Sequence, residues 1–314
     1  MMRVAICLLI AGLVVATFGP PVLAWATRSG AAPRWGVAAW AAAIGGVASA
    51  WLAVAVMVVV GVLGARGSGS HFAEWCLALL QDAARGAPVP VLAALAAAAL
   101  PVVGLAVWRV VSTVGAGRIR GRRHADAARI VGRRTRDRNV VILDVTERAA
   151  YCLPGRPHTI VVTSSAVEAL TGTQLAAVLA HERAHLAGHH HLLVAFSRGL
   201  ARAFPRVRLF AEGAEQIARL VELCADDAAA RRTGPRPVAE ALLALTSAGP
   251  SGALAAGGMD ALARAERLLT ARPTARWRSA HLLLVATTMV LVAGPFATAA
   301  LAAAGTNFCL LPTV

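Results

Sequence analysis

Leu179-Ala-His-Glu-Arg-Ala-His185 is the stretch whose reading decides the fold. It spells His-Glu-x-x-His inside a proline-free run from Gly172 to Leu186. Leu175, Val178, Leu179 and Leu186 recur there at helical spacing, so the run is read as an amphipathic helix. Thr171 and Gln174 fit a capping box at its start. Residues i and i+4 share one helix face, which lets His181 and His185 point at one metal ion. Glu182, beside the first of them, is placed to take a proton from a water activated by that ion.

Composition sets the surroundings. The chain has 314 residues, is 58% hydrophobic and has a mean hydropathy of +0.64. That is too apolar for an ordinary soluble domain and predicts membrane spans. The formal charge is +15, and all 31 basic residues are arginine. Five scattered cysteines, Cys7, Cys76, Cys152, Cys224 and Cys309, form no Cys-x-x-Cys pair, which argues against a cysteine zinc site or a disulfide framework.

Four apolar stretches are long enough to cross the ~30 Å hydrocarbon layer: 4–25, 35–64, 88–112 and 279–304. For the first, a cleaved signal peptide ending near Ala24-Trp-Ala26 is the rival reading. A retained helix, kinked at Pro20-Pro21, is preferred because further spans follow. Arginines cluster from Arg118 to Arg138 after the third span, and from Arg264 to Arg278 before the fourth. By the positive-inside rule the region between is cytoplasmic. Juxtamembrane arginines beside anionic lipid account for both clusters, so no direct nucleic-acid partner is expected. The domain division is therefore 1–116 (three spans), 117–278 (catalytic domain) and 279–314 (fourth span and tail).

Within 117–278, Asn139–Val145, Ala149–Leu153 and Thr159–Thr163 read as strands, with a hairpin turn at Pro154-Gly-Arg-Pro157. Thr159–Thr163, just before the His181 helix, is expected to serve as an edge strand on which extended peptide could pair. A long helix is expected from Phe210 to Arg232, closed by Gly234 and Pro235. Residues 246–260 read as loop and 260–272 as a short basic helix.

A catalytic zinc site takes three protein ligands and leaves one position open. Two residues compete for the third. Glu222, in Glu222-Leu-Cys-Ala-Asp226, lies on the later helix, with Asp226 one turn on to hold a ligand histidine through its far nitrogen. His191 completes the longer pattern His-Glu-x-x-His-x-x-Gly-x-x-His from His181, with Met259 then imaginable below the metal as in metzincins. Glu222 is preferred. The triple histidine His189–His191 meets that spacing easily, and metzincins are typically secreted, whereas this domain lies between spans. Tyr151 is read as a packed strand residue rather than a cleft residue. Arg231 or Arg232 and one of His189–His191 are the guesses for an oxyanion partner, with plain surface charge the preferred reading of each.

At this point the chain resembles the BlaR/MecR-type antirepressor membrane metallopeptidases, in four spans with a zinc domain between the third and fourth. The zinc domain is also similar to that of the CAAX-processing and heat-shock membrane proteases. The resemblance rests on Thr159-Ile-Val-Val-Thr163, on Leu175 to His185 and on Glu222-Leu-Cys-Ala-Asp226. It implies a mainly α membrane protein with a cytoplasmic α+β, gluzincin-like peptidase domain. It further implies Zn2+ held by His181, His185 and Glu222, with Glu182 as base and Asp226 supporting from behind. The expected partners are the lipid bilayer and a protein or peptide substrate, a transcriptional repressor by this resemblance. Only residues 305–314 follow the fourth span, where receptors of that type carry a penicillin-binding sensor, so β-lactam sensing is not carried over. Membrane-protein quality control is the alternative enzyme role, and a non-catalytic scaffold with a relic metal site is the reading from another class.

Overall fold

A computed structural model describes residues 2–64, 89–155, 157–246 and 254–270, with parts of 282–297. Apolar sequence with little charge makes the first two elements long helices, α1 (Met2–Thr27) and α2 (Pro33–Gly64). They pack antiparallel, Gly12 lying under the Trp51 ring. α1 continues as helix through Pro20 and Pro21. Gly30, at φ +59, makes the turn between the pair, a conformation open to glycine without a Cβ penalty.

α3 (Val89–Val131) has 43 residues, a rod roughly 65 Å long at 1.5 Å per residue. The expected third span is only its first half. Alanine and arginine are both strong helix formers, so the helix runs on past the change of composition at Gly117. Among the described residues, three helical stretches are long and apolar enough to cross a membrane: Ala5–Thr27, Pro33–Val59 and Leu100–Val131. The expected fourth, 279–304, lies largely outside the described residues. Leu284, which is described, is buried against the helices already named.

After α3 come β1 (Arg133–Arg134), β2 (Val140–Leu143), β3 (Ala150–Leu153) and β4 (Thr159–Thr163), in the spatial order β1-β2-β4-β3. β2 pairs parallel to β4, and β3 pairs antiparallel to β4 across the expected hairpin, Leu153 opposite Thr159. This corrects one expectation. Thr159–Thr163 is an inner strand, buried along its whole length, and the sheet edge nearest the His181 helix is β3. Ile160-Val-Val162 marks a strand covered on both faces, which is why it sits inside. β1, inside the arginine cluster, gave no sequence signal.

The sheet is sandwiched. Val140, Ile160 and Val162 face α5 (Gly172–Ala187) through Leu175, Leu179 and Leu186. Val141 and Val161 alternate to the other face, where α3 lies with Ala125 and Ala128 buried. Arg129 ties α3 to the sheet by donating to Thr159 Oγ1 (2.9 Å) and to the Pro157 carbonyl (2.5 Å). The short α4 (Ser164–Ala169) links β4 to α5.

The long helix arrives as α7 (Arg208–Thr233), preceded by α6 (His190–Ala203), which the sequence reading left unassigned. Gly234 at φ +89 ends α7, and Pro235 opens α8 (Pro235–Thr246), as proline suits a first helical turn. Part of the expected loop 246–260 is helix: α9 runs Leu254–Leu269, while 247–253 lie outside the described residues. Leu254, Ala261 and Ala265 follow a helical repeat that overrides the weak propensity of Gly257-Gly258.

The largest core cluster joins α7 to the apolar hairpin. Leu209, Phe210, Ile217, Leu220 and Leu223 pack with Leu23, Trp40, Ile44 and Val47. Gly213 permits this approach, since a Cβ there would meet Ile44 Cδ1 at 2.7 Å. Polar ties add to it. Arg219 donates to the Thr27 carbonyl (2.9 Å), and Arg267 to the Gly30 carbonyl (3.1 Å) and Asp227 (2.9 Å). The helix bearing Glu222 and Asp226 is thus seated on the turn between the first two apolar helices.

Candidate metal centre

The capping box forms at the start of α5. The Thr171 amide donates to Gln174 Oε1 (2.9 Å), and the Gln174 amide donates to Thr171 Oγ1 (3.4 Å). With its start fixed, α5 sets Leu175 and Leu179 on the sheet and turns His181 and His185 toward α7. Their Nε2 atoms lie 3.0 Å apart. Glu222 comes across from α7, its carboxylate oxygens 3.5 Å from His181 Nε2 and 3.4 Å from His185 Nε2.

Among the described residues, this trio is the one group of three or more histidine, cysteine or acidic side chains whose donor atoms converge, all within 4.8 Å. The fit to a metal can be judged from the separations. Bonds of ~2.0–2.1 Å in tetrahedral geometry put neighbouring donor atoms about 3.3 Å apart. The observed 3.0, 3.4 and 3.5 Å straddle that value, and two imidazoles with one carboxylate are a known catalytic zinc set. The residues present therefore fit a divalent ion. His191 is not in the trio. It sits on α6, beyond the reversal at Gly188-His189, and Met259 is 68% exposed rather than lying beneath the histidines.

Behind the trio is a buried charge network. Asp226 is fully buried, with Oδ1 3.1 Å from His181 Nδ1. Arg264, from α9, donates to both its oxygens, Nε to Oδ2 at 2.8 Å and Nη2 to Oδ1 at 2.7 Å. The third nitrogen, Nη1, is 3.3 Å from Glu222 Oε2. Burial alone would raise both acids; against it, His181 and Arg264 hold Asp226, and His181, His185 and Arg264 hold Glu222, below the usual carboxylate range. Burial likewise opposes protonation of His181, yet Asp226 and Glu222 raise it to about 9. Arg264 is the residue that sequence reasoning missed. It was read only as part of a juxtamembrane cluster, and no local pattern links it to an acid 38 residues away.

Glu182 lies beside the trio, and burial pushes its carboxyl above the ordinary range. The Cys152 thiol of β3 is its neighbour, and burial, then the Glu182 charge, push that thiol well above its ordinary range. His185 has its own support, His190 Nδ1 at 2.9 Å from His185 Nδ1. His189 takes the left-handed conformation (φ 49) that turns His190 back, and any side chain at Gly188 would strike the His190 ring. Tyr151 faces away from this centre, its hydroxyl 2.9 Å from His124 Nε2 on α3. Arg231 and Arg232 are exposed on the last turn of α7.

Comparison with known proteins adds one finding. Residues 119–284, more than half of the chain, match the model of peptidase family M48. No curated protein and no solved structure matches the chain.

Proposed function

The chain belongs to peptidase family M48, and from that premise we propose that it is an integral-membrane, zinc-dependent endopeptidase whose centre is His181, His185 and Glu222. The observation that carries this reading is the convergence of two imidazoles and one carboxylate beside the buried Glu182. Zinc held there supplies a Lewis acid for the peptide carbonyl and a water acidic enough to react near neutral pH. The chain's own residues do the rest. Glu182 takes the proton of the attacking water and delivers it to the leaving amine, and burial favours its holding a proton between the two transfers. Asp226 fixes the ring of His181, and Arg264 keeps Asp226 ionised. Extended peptide pairs with the edge of β3 that carries no strand among the described residues, and Cys152 of β3 neighbours Glu182.

In this reading residues 117–278 form the catalytic domain, on the cytoplasmic side by the arginine clusters at both its ends, with four spans in all. The resemblance to antirepressor metallopeptidases makes a cytoplasmic transcriptional repressor the first substrate class. A second, membrane-protein quality control, is favoured by the seating of α7 on the α1–α2 turn, which holds the centre close to the membrane. A proteomic comparison of cells carrying the wild-type chain or Glu182→Gln tests both. A repressor fragment that requires Glu182 supports the first, and membrane proteins accumulating in the variant support the second. Identical proteomes would overturn the endopeptidase reading.

A further inference from the structure

The proposed chemistry leaves a positive rim beside the centre unused. His190 reaches back to His185, and His189 and His191 flank it, their ring centroids 6.2 Å apart. Two other elements bring charge to the same place. α3 lies along α6, a Cβ on Gly199 falling 2.9 Å from the Val110 Cα, and burial, then the charges of His189, Arg118 and His158, hold the His191 imidazole below its ordinary range, so that it is a neutral hydrogen-bonding group near pH 7. Arg118 comes from α3 and His158 from the β3–β4 turn. The rim is held firmly. Gly121, one turn along α3 from Arg118, lies against Pro154 of that turn, its Cβ position 3.7 Å from the ring, and Arg129 grips the far side through the Pro157 carbonyl. Arg118, His158 and His189 are exposed and His191 is half-buried. Among the described residues no carboxylate forms an ion pair with any of the four.

The rim stands at one end of a strand edge. Among the described residues, β3 pairs with β4 on one side only, and its last residue, Leu153, leads into the turn that carries His158. A peptide paired on β3 passes Cys152 and Glu182 and then meets the four basic groups. We propose that this rim is a specificity subsite: the substrate segment lying past Leu153 carries aspartate or glutamate, received by Arg118, His158, His189 and His191. The inference rests on the peptidase reading of the centre. A peptide is favoured over a lipid headgroup because the rim adjoins an unpaired strand edge. The aromatic and basic pair suited to a headgroup layer, Trp108 and Arg109, lies roughly 15 Å further along α3. Carboxylates bound by the Arg118 guanidinium, with imidazole N–H groups beside it, gain charge-assisted hydrogen bonds, which show in KM more than in kcat when made equally in ground and transition states.

The test uses the full chain in nanodiscs of neutral phosphatidylcholine. Two labelled peptides of one length are compared, one with Asp and Glu past the scissile position and one with Asn and Gln in their place. Binding to the Glu182→Gln chain is read by fluorescence anisotropy, and hydrolysis by the wild-type chain is followed in parallel. The acidic peptide should bind about three- to tenfold tighter, the order expected of one or two partly exposed ion pairs with Arg118. That ratio should shrink as salt is raised, and should approach one in Arg118→Ala/His191→Ala. Equal binding of the two peptides, binding of neither, or a ratio untouched by the double substitution would overturn the subsite. So would a double substitution that changes only how the chain responds to phosphatidylglycerol in the disc, which would make the rim a lipid contact. Acidic preference in binding with no cleavage of either peptide would leave the subsite standing and remove the peptidase reading instead.

Discussion

Arg264 and Asp226, 38 residues apart in sequence, meet in a two-pronged ion pair with nitrogen–oxygen distances of 2.7 and 2.8 Å. Asp226 is fully buried and Arg264 is 12% exposed, so neither charge is solvated well enough to stand alone. Asp226 Oδ1 also lies 3.1 Å from His181 Nδ1, and Arg264 Nη1 lies 3.3 Å from Glu222 Oε2, which couples α9 to two of the three groups proposed to hold the metal.

Arg264→Ala removes the only one of these partners that brings a fixed positive charge. It should cost roughly 3–5 kcal/mol through the stranded buried carboxylate and weaken metal binding about 10–100-fold. Arg264→Lys keeps the charge but lacks the fork, so it should recover part of the affinity and less of the stability. Thermal unfolding without metal and competitive zinc titration of each detergent-solubilised variant separate the two effects. Wild-type zinc affinity in a folded Arg264→Ala chain would show that the network is only structural.

Glu182→Gln preserves shape and hydrogen bonding but cannot accept a proton. Metal content should stay at the wild-type level while peptide hydrolysis falls by about 10²–10⁴-fold, the usual worth of a general base. Metal analysis and an assay on unfolded casein, run on the same preparation, check both halves. Retained hydrolysis would move the base elsewhere.

How far the sequence foretold this centre depends on where the signals were local. His181 and His185 were legible because one helical turn fixes their relation, and the Thr171–Gln174 box fixes the start of that helix. Glu222 and Asp226 were legible from spacing on a second apolar-faced helix. Arg264 was not, because its partner is set by how α9 docks, and no periodicity encodes docking. The sheet order failed for a related reason. Ile160-Val-Val162 announced a strand but not its neighbours, and the two-residue β1 that extends the other side is a pair of arginines. α6 was hidden by its charges: Arg198 and Arg202 fall on an exposed face, while Leu193, Val194 and Leu200 pack inward.

The choice between Glu222 and His191 is open to direct measurement. Glu222→Ala takes away one corner of the converging trio, so metal content after dialysis should drop to background. His191→Ala should keep its metal, since His191 lies outside that trio. The opposite pattern would restore the metzincin-like ligand set.

Helix packing gives a prediction independent of chemistry. Gly199 of α6 lies against α3, where an added Cβ would fall 2.9 Å from the Val110 Cα. A backbone atom cannot swing aside as a side-chain tip can, so Gly199→Ala must push the two helices apart. The cost should be about 1–3 kcal/mol, as for other overpacked sites. Gly115, also on α3, has nothing within 4 Å of its Cβ position. Gly115→Ala should be neutral or stabilising by up to ~1 kcal/mol, because alanine is the better helix former. Thermal unfolding in one detergent should therefore rank the proteins with Gly115→Ala at or above wild type and Gly199→Ala well below. If both substitutions behaved alike, the close crossing of α3 and α6, and with it the placing of Arg118 beside the His189–His191 segment, would be wrong.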